Sequence, residues 1–335
     1  EKNMNKGLRN YTKQLTQTVG NAGEVSVNIN KEDANLHITL PLITTVGLNP
    51  IETSLIFNLQ DKEEGGMFGK GVKLNLYSLL EVESSKYTLK NADGSKDVYL
   101  KDNDFSNNET NLSISKVYDD NYELTYHYLL KDKYGDEKSY YDSLEYPKYI
   151  NTKSGEKFTL DFISTTCTIN NSYGDVVEFV KNSNGLVENV IYYHNSNEVT
   201  RVVLSYTDNV LTKLTYKNGT TIISSTTLKI ESNTIQIMDD ISEYRIKYNL
   251  SENRVVSFID GYDSELTYGK TTTIVYDQNR TTVVDESNNS LVVFFDNNQM
   301  PLFEMDSKGN VVETEYDFET KVLTSKSSIV STKNR

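Results

Sequence analysis

The chain has no tryptophan, one cysteine, four prolines and only three alanines among its 335 residues. So little alanine excludes a sizeable helical bundle, because alanine is the strongest helix former. The single thiol, Cys167, rules out an intrachain disulfide. Its place in the alternating run Thr166-Cys167-Thr168 marks a small buried side chain rather than a nucleophile. Lack of disulfides leaves the compartment open. No run nears the ~18 apolar residues a membrane-crossing helix needs, so no membrane span is expected. The chain opens at Glu1 without an apolar signal core, which fits a leader already removed or a piece of a longer polypeptide.

Positive charge is also scarce. Against 48 acidic residues stand 34 basic ones, a formal net charge of −14. An acidic chain without a long basic run repels phosphate backbones, so nucleic acid is not an expected partner. Apolar residues make up 36% of the chain and its mean hydropathy is −0.55, low for a compact enzyme and suited to thin sheets with one wet face.

What the chain does have is tyrosine, 24 residues of it against 11 phenylalanines. Tyrosine favours strands and buries its ring while its hydroxyl stays wet. Apolar residues alternate with polar ones in Val25-Val27-Ile29, Leu36-Ile38-Leu40, Leu55-Phe57-Leu59, Val72-Leu74-Leu76, Leu124-Tyr126-Tyr128, Leu228-Ile230, Ile235-Ile237 and Tyr244-Ile246-Tyr248. Period two is the mark of strands packed on one face. The sole helical stripe joins Leu8, Tyr11 and Leu15 near Asn5–Gln17, a segment that reads equally as an unstructured lead-in.

Turn residues recur between these runs: Asn91-Ala92-Asp93-Gly94, Lys133-Tyr134-Gly135-Asp136, Thr152-Lys153-Ser154-Gly155, Asn171-Ser172-Tyr173-Gly174, Lys217-Asn218-Gly219 and Ser307-Lys308-Gly309-Asn310. Each offers a residue tolerant of positive φ between two β runs, which is hairpin grammar. Glycines 94, 135, 155, 174, 219, 261 and 309 are spaced by 41, 20, 19, 45, 42 and 48 residues, as a degenerate repeat of about 20 residues predicts. Similar units run from Tyr206 to Leu214, Tyr248 to Ser257, Tyr276 to Val284, Phe294 to Phe303 and Tyr316 to Leu323. One hairpin cannot bury its apolar face alone, whereas stacked copies build a continuous sheet.

These units resemble the YD repeat of the RHS family, in which Tyr-Asp, a polar turn and an apolar strand lead to Asp-x-x-Gly. Tyr276-Asp277 and Tyr316-Asp317 carry the dipeptide, and Met305 to Asp317 matches a full unit best. Tyr87 to Tyr99 is similar to the strand pair that precedes the repeats in such proteins. Phe68-Gly69-Lys70-Gly71-Val72 resembles their FGxGW segment with valine in place of tryptophan, and Val25 to Leu59 resembles their leading β region. The likeness covers roughly residues 24 to 323. It lacks the family's closing segment with autoproteolytic aspartates and a distinct C-terminal effector.

The resemblance implies an all-β fold: a curved antiparallel sheet of stacked hairpins, shell-like, behind a leading β region. The expected division is a lead-in over 1–23, the leading β region over 24–85, repeat-like sheet over 86–323 and a tail over 324–335. It implies a non-enzymatic bacterial scaffold or shell segment, secreted, cell-surface or phage-borne. The partners implied are the rest of a larger polypeptide and an enclosed effector. A second reading is an adhesion module that binds surface glycan through exposed tyrosines at Tyr140-Tyr141 and Tyr192-Tyr193, where an extended backbone sends one ring to each face. A β-solenoid carbohydrate-active enzyme is a third.

Catalytic and cofactor signatures are weak. His37, His127 and His194 are far apart, with no GxSxG or HExxH near them. The acids Asp119-Asp120, Asp239-Asp240 and Asp61 with Glu63-Glu64 read as solvated turns rather than a glycosidase pair. Asp102-x-Asp104-x-Ser106 lacks the glycine and closing glutamate of a calcium loop. Gly65-Gly66-Met67-Phe68-Gly69-Lys70-Gly71 fits no phosphate cradle and is expected to be a flexible hairpin. No cofactor and no metal is expected.

Overall fold

The computed structural model describes residues 12–19, 23–30, 35–47, 49–101, 110–118, 124–141, 144–163, 166–241, 243–261, 269–297, 301–316 and 323–329. The protein is all-β: strands take 64% of it, in large antiparallel sheets. Among the described residues there is no α-helix, and Leu59–Asp61 form a short 3-10 turn. The stretch Thr12–Val19 is a strand, which corrects the helical or unstructured lead-in expected over that part of Asn5–Gln17. The remainder of that segment lies outside the described residues. The sequence of Thr12–Val19 alternates too weakly to announce a strand, and pairing in a sheet overrides so faint a local signal.

Two compact units are present. Among the described residues, 15–27 and 37–226 form the first, and 12–14, 28–36 and 227–329 form the second.

A five-stranded sheet, most of it in the first unit, takes its strands in chain order, Thr12–Val19, Gly23–Asn30, Leu36–Thr44, Glu52–Asn58 and Val72–Leu74. The expected alternation is seen directly: Leu55 and Phe57 are buried while Ser54 and Ile56 are half-buried. A three-stranded sheet follows, Ser78–Val82, Lys86–Asn91 and Lys96–Leu100. Its Leu80, Tyr87, Leu89 and Tyr99 pack against Leu112, Leu130 and Tyr140 of the next sheet. Side chains this large each contribute about 1.5–3 kcal/mol when fully buried.

That next sheet is an antiparallel meander. Within the first unit it runs through Thr110–Tyr118, Leu124–Asp132, Glu137–Tyr140, Tyr149–Asn151, Lys157–Asp161, Thr166–Asn170, Asp175–Lys181, Val187–His194, Asn197–Thr207 and Val210–Asn218, each paired with its sequence neighbour. The second unit has a meander of the same kind from Thr234–Asp239 through Arg245–Ser251, Arg254–Asp260, Lys270–Asp277, Arg280–Val284, Ser290–Phe295, Pro301–Asp306 and Val311–Tyr316 to Leu323–Ile329. Ile235 faces Tyr248 and Ile237 faces Ile246 across one pair, all four buried, while Gln236 and Lys247 take the other face.

One five-residue turn recurs. It begins at Asn91, Asp132, Thr152, Asn171, Asn182, Asp285 and Asp306. In every copy the amide of the first residue donates to the carbonyl of the fifth, at 2.8 to 3.2 Å. The side-chain oxygen of Asp132, Asn171, Asn182, Asp285 or Asp306 then accepts the amides two and four residues on. The fourth residue needs positive φ, and it is glycine everywhere except Asn288, at φ 60°. This is the three-residue hairpin loop with a left-handed bulge residue. Elsewhere the hairpins close through two-residue turns with both residues at positive φ, Asn195-Ser196, Asp208-Asn209 and Glu252-Asn253. That mirror-image turn matches strand twist.

A tyrosine clamp accompanies two of the two-residue turns. Tyr206, just before Asp208-Asn209, donates its hydroxyl to the Val187 carbonyl at 2.7 Å. Tyr276, at the same place before its own turn, donates to Val255 at 2.8 Å. The partners lie 19 and 21 residues upstream, one hairpin back.

Candidate functional site

The two tyrosine pairs divide between faces as an extended backbone requires. Tyr140 is fully buried, its hydroxyl 2.5 Å from the Ser78 hydroxyl, and burial raises its pKa. Tyr141 is 39% exposed. His127 stacks on it at 4.2 Å, Tyr149 meets it edge-on at 5.8 Å, and the Lys157 ammonium lies 3.8 Å over the Tyr149 ring. Protein groups therefore already occupy ring faces in this row, as in ordinary cross-strand packing.

Tyr192 is buried and donates to Asp175 Oδ1 at 2.8 Å. Tyr193 is half-buried on the opposite face, opposite Glu198, with burial and the charges of Glu178 and Glu198 raising its pKa. Tyr140 and Tyr192 are thus removed from any contact surface, and Tyr141 and Tyr193 remain on one.

Around Asp175 the turns build a polar edge. Asp175 also accepts from His194 Nδ1 at 2.8 Å and Asn171 Nδ2 at 2.9 Å. Burial opposes its ionisation, but the bonds from His194, Asn171 and Tyr192 outweigh this and hold the carboxyl below the usual aspartate range. On the neighbouring turn, buried Glu156 accepts from Asn49 Nδ2 at 3.0 Å and Ser172 Oγ at 2.8 Å. Further bonds tie turn to turn: the Lys153 amide donates to Asp136 at 2.7 Å and the Asn195 amide to the Gly174 carbonyl at 3.0 Å. The sequence did not single out Glu156 or Asp175. Their only signal was position five of the recurring turn.

The remaining candidates are spread over the structure. His37 is buried with Nε2 2.9 Å from the Asp93 carbonyl oxygen, His127 lies in the aromatic row, and His194 bonds Asp175. Cys167 is buried, and burial pushes its thiol up. Asp61 accepts from Asn58, Glu64 pairs with Lys73 at 3.0 Å, Asp239 accepts the Ile241 amide and Asp240 accepts from Thr227. No group of three or more metal-ligating side chains occurs among the described residues. Asp119-Asp120 and Asp102-x-Asp104-x-Ser106 lie outside the described residues.

The glycine-rich segment is a wedge rather than a flexible hairpin. Phe68 is buried edge-on against Phe179 at 5.9 Å, and Val187 donates its amide to the Met67 carbonyl. Gly69, at φ 89°, lies against the Asp208-Asn209 turn so closely that a Cβ would meet the Asn209 carbonyl at 2.7 Å.

Two concavities stand out among the described residues. The second unit holds an apolar recess of about 420 Å³ lined chiefly by Ile29, Ile274, Tyr276, Val283 and Leu291. The first unit has an open groove of about 710 Å³ lined by Asn189, Glu198, Arg201, Val203, Lys217, Asn218, Gly219 and Thr220. Arg201 forks onto Glu198 at 2.8 and 3.0 Å and stands opposite Lys217 across the strand pair.

No family model matches the chain, and no curated protein matches it. Among solved structures it is similar to a porin-like protein from Bacteroides uniformis, with 10% identity, a TM-score of 0.27, and 75% of this chain and 91% of that one covered. It is also similar to the N-terminal domain of the effector protein SpvB from Salmonella typhimurium, with 12% identity, a TM-score of 0.18, and coverage of 88% and 98%. Likenesses this low carry no argument about fold or activity.

Proposed function

We propose that the chain is a non-enzymatic scaffold, a shell segment of an RHS/YD-repeat protein that holds or presents another part of a larger secreted, surface or phage-borne assembly. The observation that supports this reading is the tyrosine clamp, made by Tyr206 and again by Tyr276 at equivalent places 19 and 21 residues from their partners. A tyrosine used this way ties each hairpin to the one before it, which is what a repeat-built wall requires. The buried carboxylates Glu156 and Asp175 fit the same role, since each accepts hydrogen bonds from side chains of other segments. On this reading the curved sheet of stacked hairpins is the working part of the molecule, and its partners are the remaining polypeptide and an enclosed effector.

The test is turnover. The purified chain is assayed against glycoside, ester, phosphate and peptide substrates, alongside Asp175→Asn and Glu156→Gln. The scaffold reading expects no turnover above buffer. Hydrolysis abolished by either substitution would overturn it.

A further inference from the structure

We propose that the open groove beside the strands Val187–His194, Asn197–Thr207 and Val210–Asn218 binds a neutral oligosaccharide. Four observations lead there. The groove, about 710 Å³, is within the range of ligand sites, yet it is open along the sheet and so suits a chain laid across it. Most of its lining residues carry polar groups: Asn189 and Asn218 bring amides, each able to donate and accept, as a ring of sugar hydroxyls demands. Glu198 and Arg201 are held in one plane by their paired hydrogen bonds, which fixes two hydrogen-bonding groups in advance. Tyr193 stands opposite Glu198 on the same strand pair and supplies an aromatic body beside the polar wall.

Charge selects among ligands. Arg201 and Lys217 face each other across the pair, an arrangement that like charges disfavour. Glu198 and Glu178 both act on Arg201, so two carboxylates offset the two cations. With a net charge of −14 on the whole chain, long-range attraction does not favour an anion. A protein partner would want buried aromatic or arginine anchors in a well-packed pocket, and the wall offers a single aliphatic residue, Val203. A neutral polyhydroxylated chain satisfies the remaining chemistry.

The test uses the intact chain on an array of cello-, chito-, xylo- and manno-oligosaccharides, with sulfated and uronate oligosaccharides as the anionic arm. The best binder is then titrated calorimetrically against Tyr193→Ala, Arg201→Gln, Lys217→Gln and, as a comparator, Tyr141→Ala. The proposal expects a neutral oligosaccharide to bind. It also expects Tyr193→Ala and either cation variant to weaken binding by about tenfold or more, with Tyr141→Ala unchanged. Lys217→Gln leaves the Glu198 fork intact and serves if Arg201→Gln misfolds. Binding by no neutral sugar, preference for the anionic arm, or loss confined to Tyr141→Ala would each overturn it.

Discussion

The hydroxyl of Tyr206 donates to the backbone carbonyl of Val187 at 2.7 Å, across one hairpin and 19 residues of chain. Burial raises the pKa of this phenol, so it stays a neutral donor across the whole working range of pH. Its counterpart in the second unit is Tyr276 on Val255. Removing only the oxygen isolates the clamp from ring packing. Tyr206→Phe and Tyr276→Phe should each cost about 1–3 kcal/mol, because a carbonyl inside the sheet loses its partner. Urea unfolding followed by circular dichroism measures this. Losses near zero for both would show that the clamp is incidental.

Glycine positions should separate into two classes. At Gly69 a Cβ meets backbone at 2.7 Å and φ is 89°, so Gly69→Ala combines strain with a clash. Gly185 has φ 79° but nothing within 4 Å of the added carbon. Gly185→Ala should therefore cost only the left-handed penalty, ~1–2 kcal/mol, and Gly69→Ala distinctly more. Thermal melts of the two variants, run side by side, decide it.

The tyrosine pair at 140 and 141 gives a contrast within one dipeptide. Tyr140→Ala empties a fully buried site and should cost about 3–5 kcal/mol. Tyr141→Ala loses an exposed stack on His127 and should cost ~0.5–1.5 kcal/mol. Equal losses would mean that the faces are assigned wrongly.

Asp175 links stability to pH. Its folded pKa lies below the ordinary aspartate value, so its contribution is fully present above the unfolded value, about pH 4, and is lost as pH falls below that toward the folded pKa. Wild-type stability should drop between pH 6 and pH 3, and Asp175→Asn should be weaker at pH 6 with a shallower drop (about pH 3 to 6 being the titration window of carboxylates). Denaturant titrations at the two pH values test the sign.

Much of this fold was legible. Strict alternation around Ile235, Ile237, Ile246 and Tyr248 gave the strands and their buried face, and Asn91-Ala92-Asp93-Gly94 and its kin gave the turns. Two turns of the same build are not marked by the glycine spacing. The one at Asn182 has its glycine at 185, off the chosen spacing, and the one at Asp285 uses Asn288 in glycine's place. Thr12–Val19 went unread because its apolar residues are sparse and a helical stripe competes for them. The site was harder. Glu156, Asp175 and the Glu198–Arg201–Lys217 groove are assembled by cross-strand register from ordinary surface residues, and a single sequence does not display register between strands.

On the scaffold proposal this chain works as wall rather than as catalyst or free-standing domain. Electron cryomicroscopy of the gene product purified from its native source tests it most directly. The account predicts these antiparallel sheets embedded in a larger particle, packed against further polypeptide on at least one face. A monodisperse particle of the chain's own 38.1 kDa, with both sheet faces bare, would contradict it.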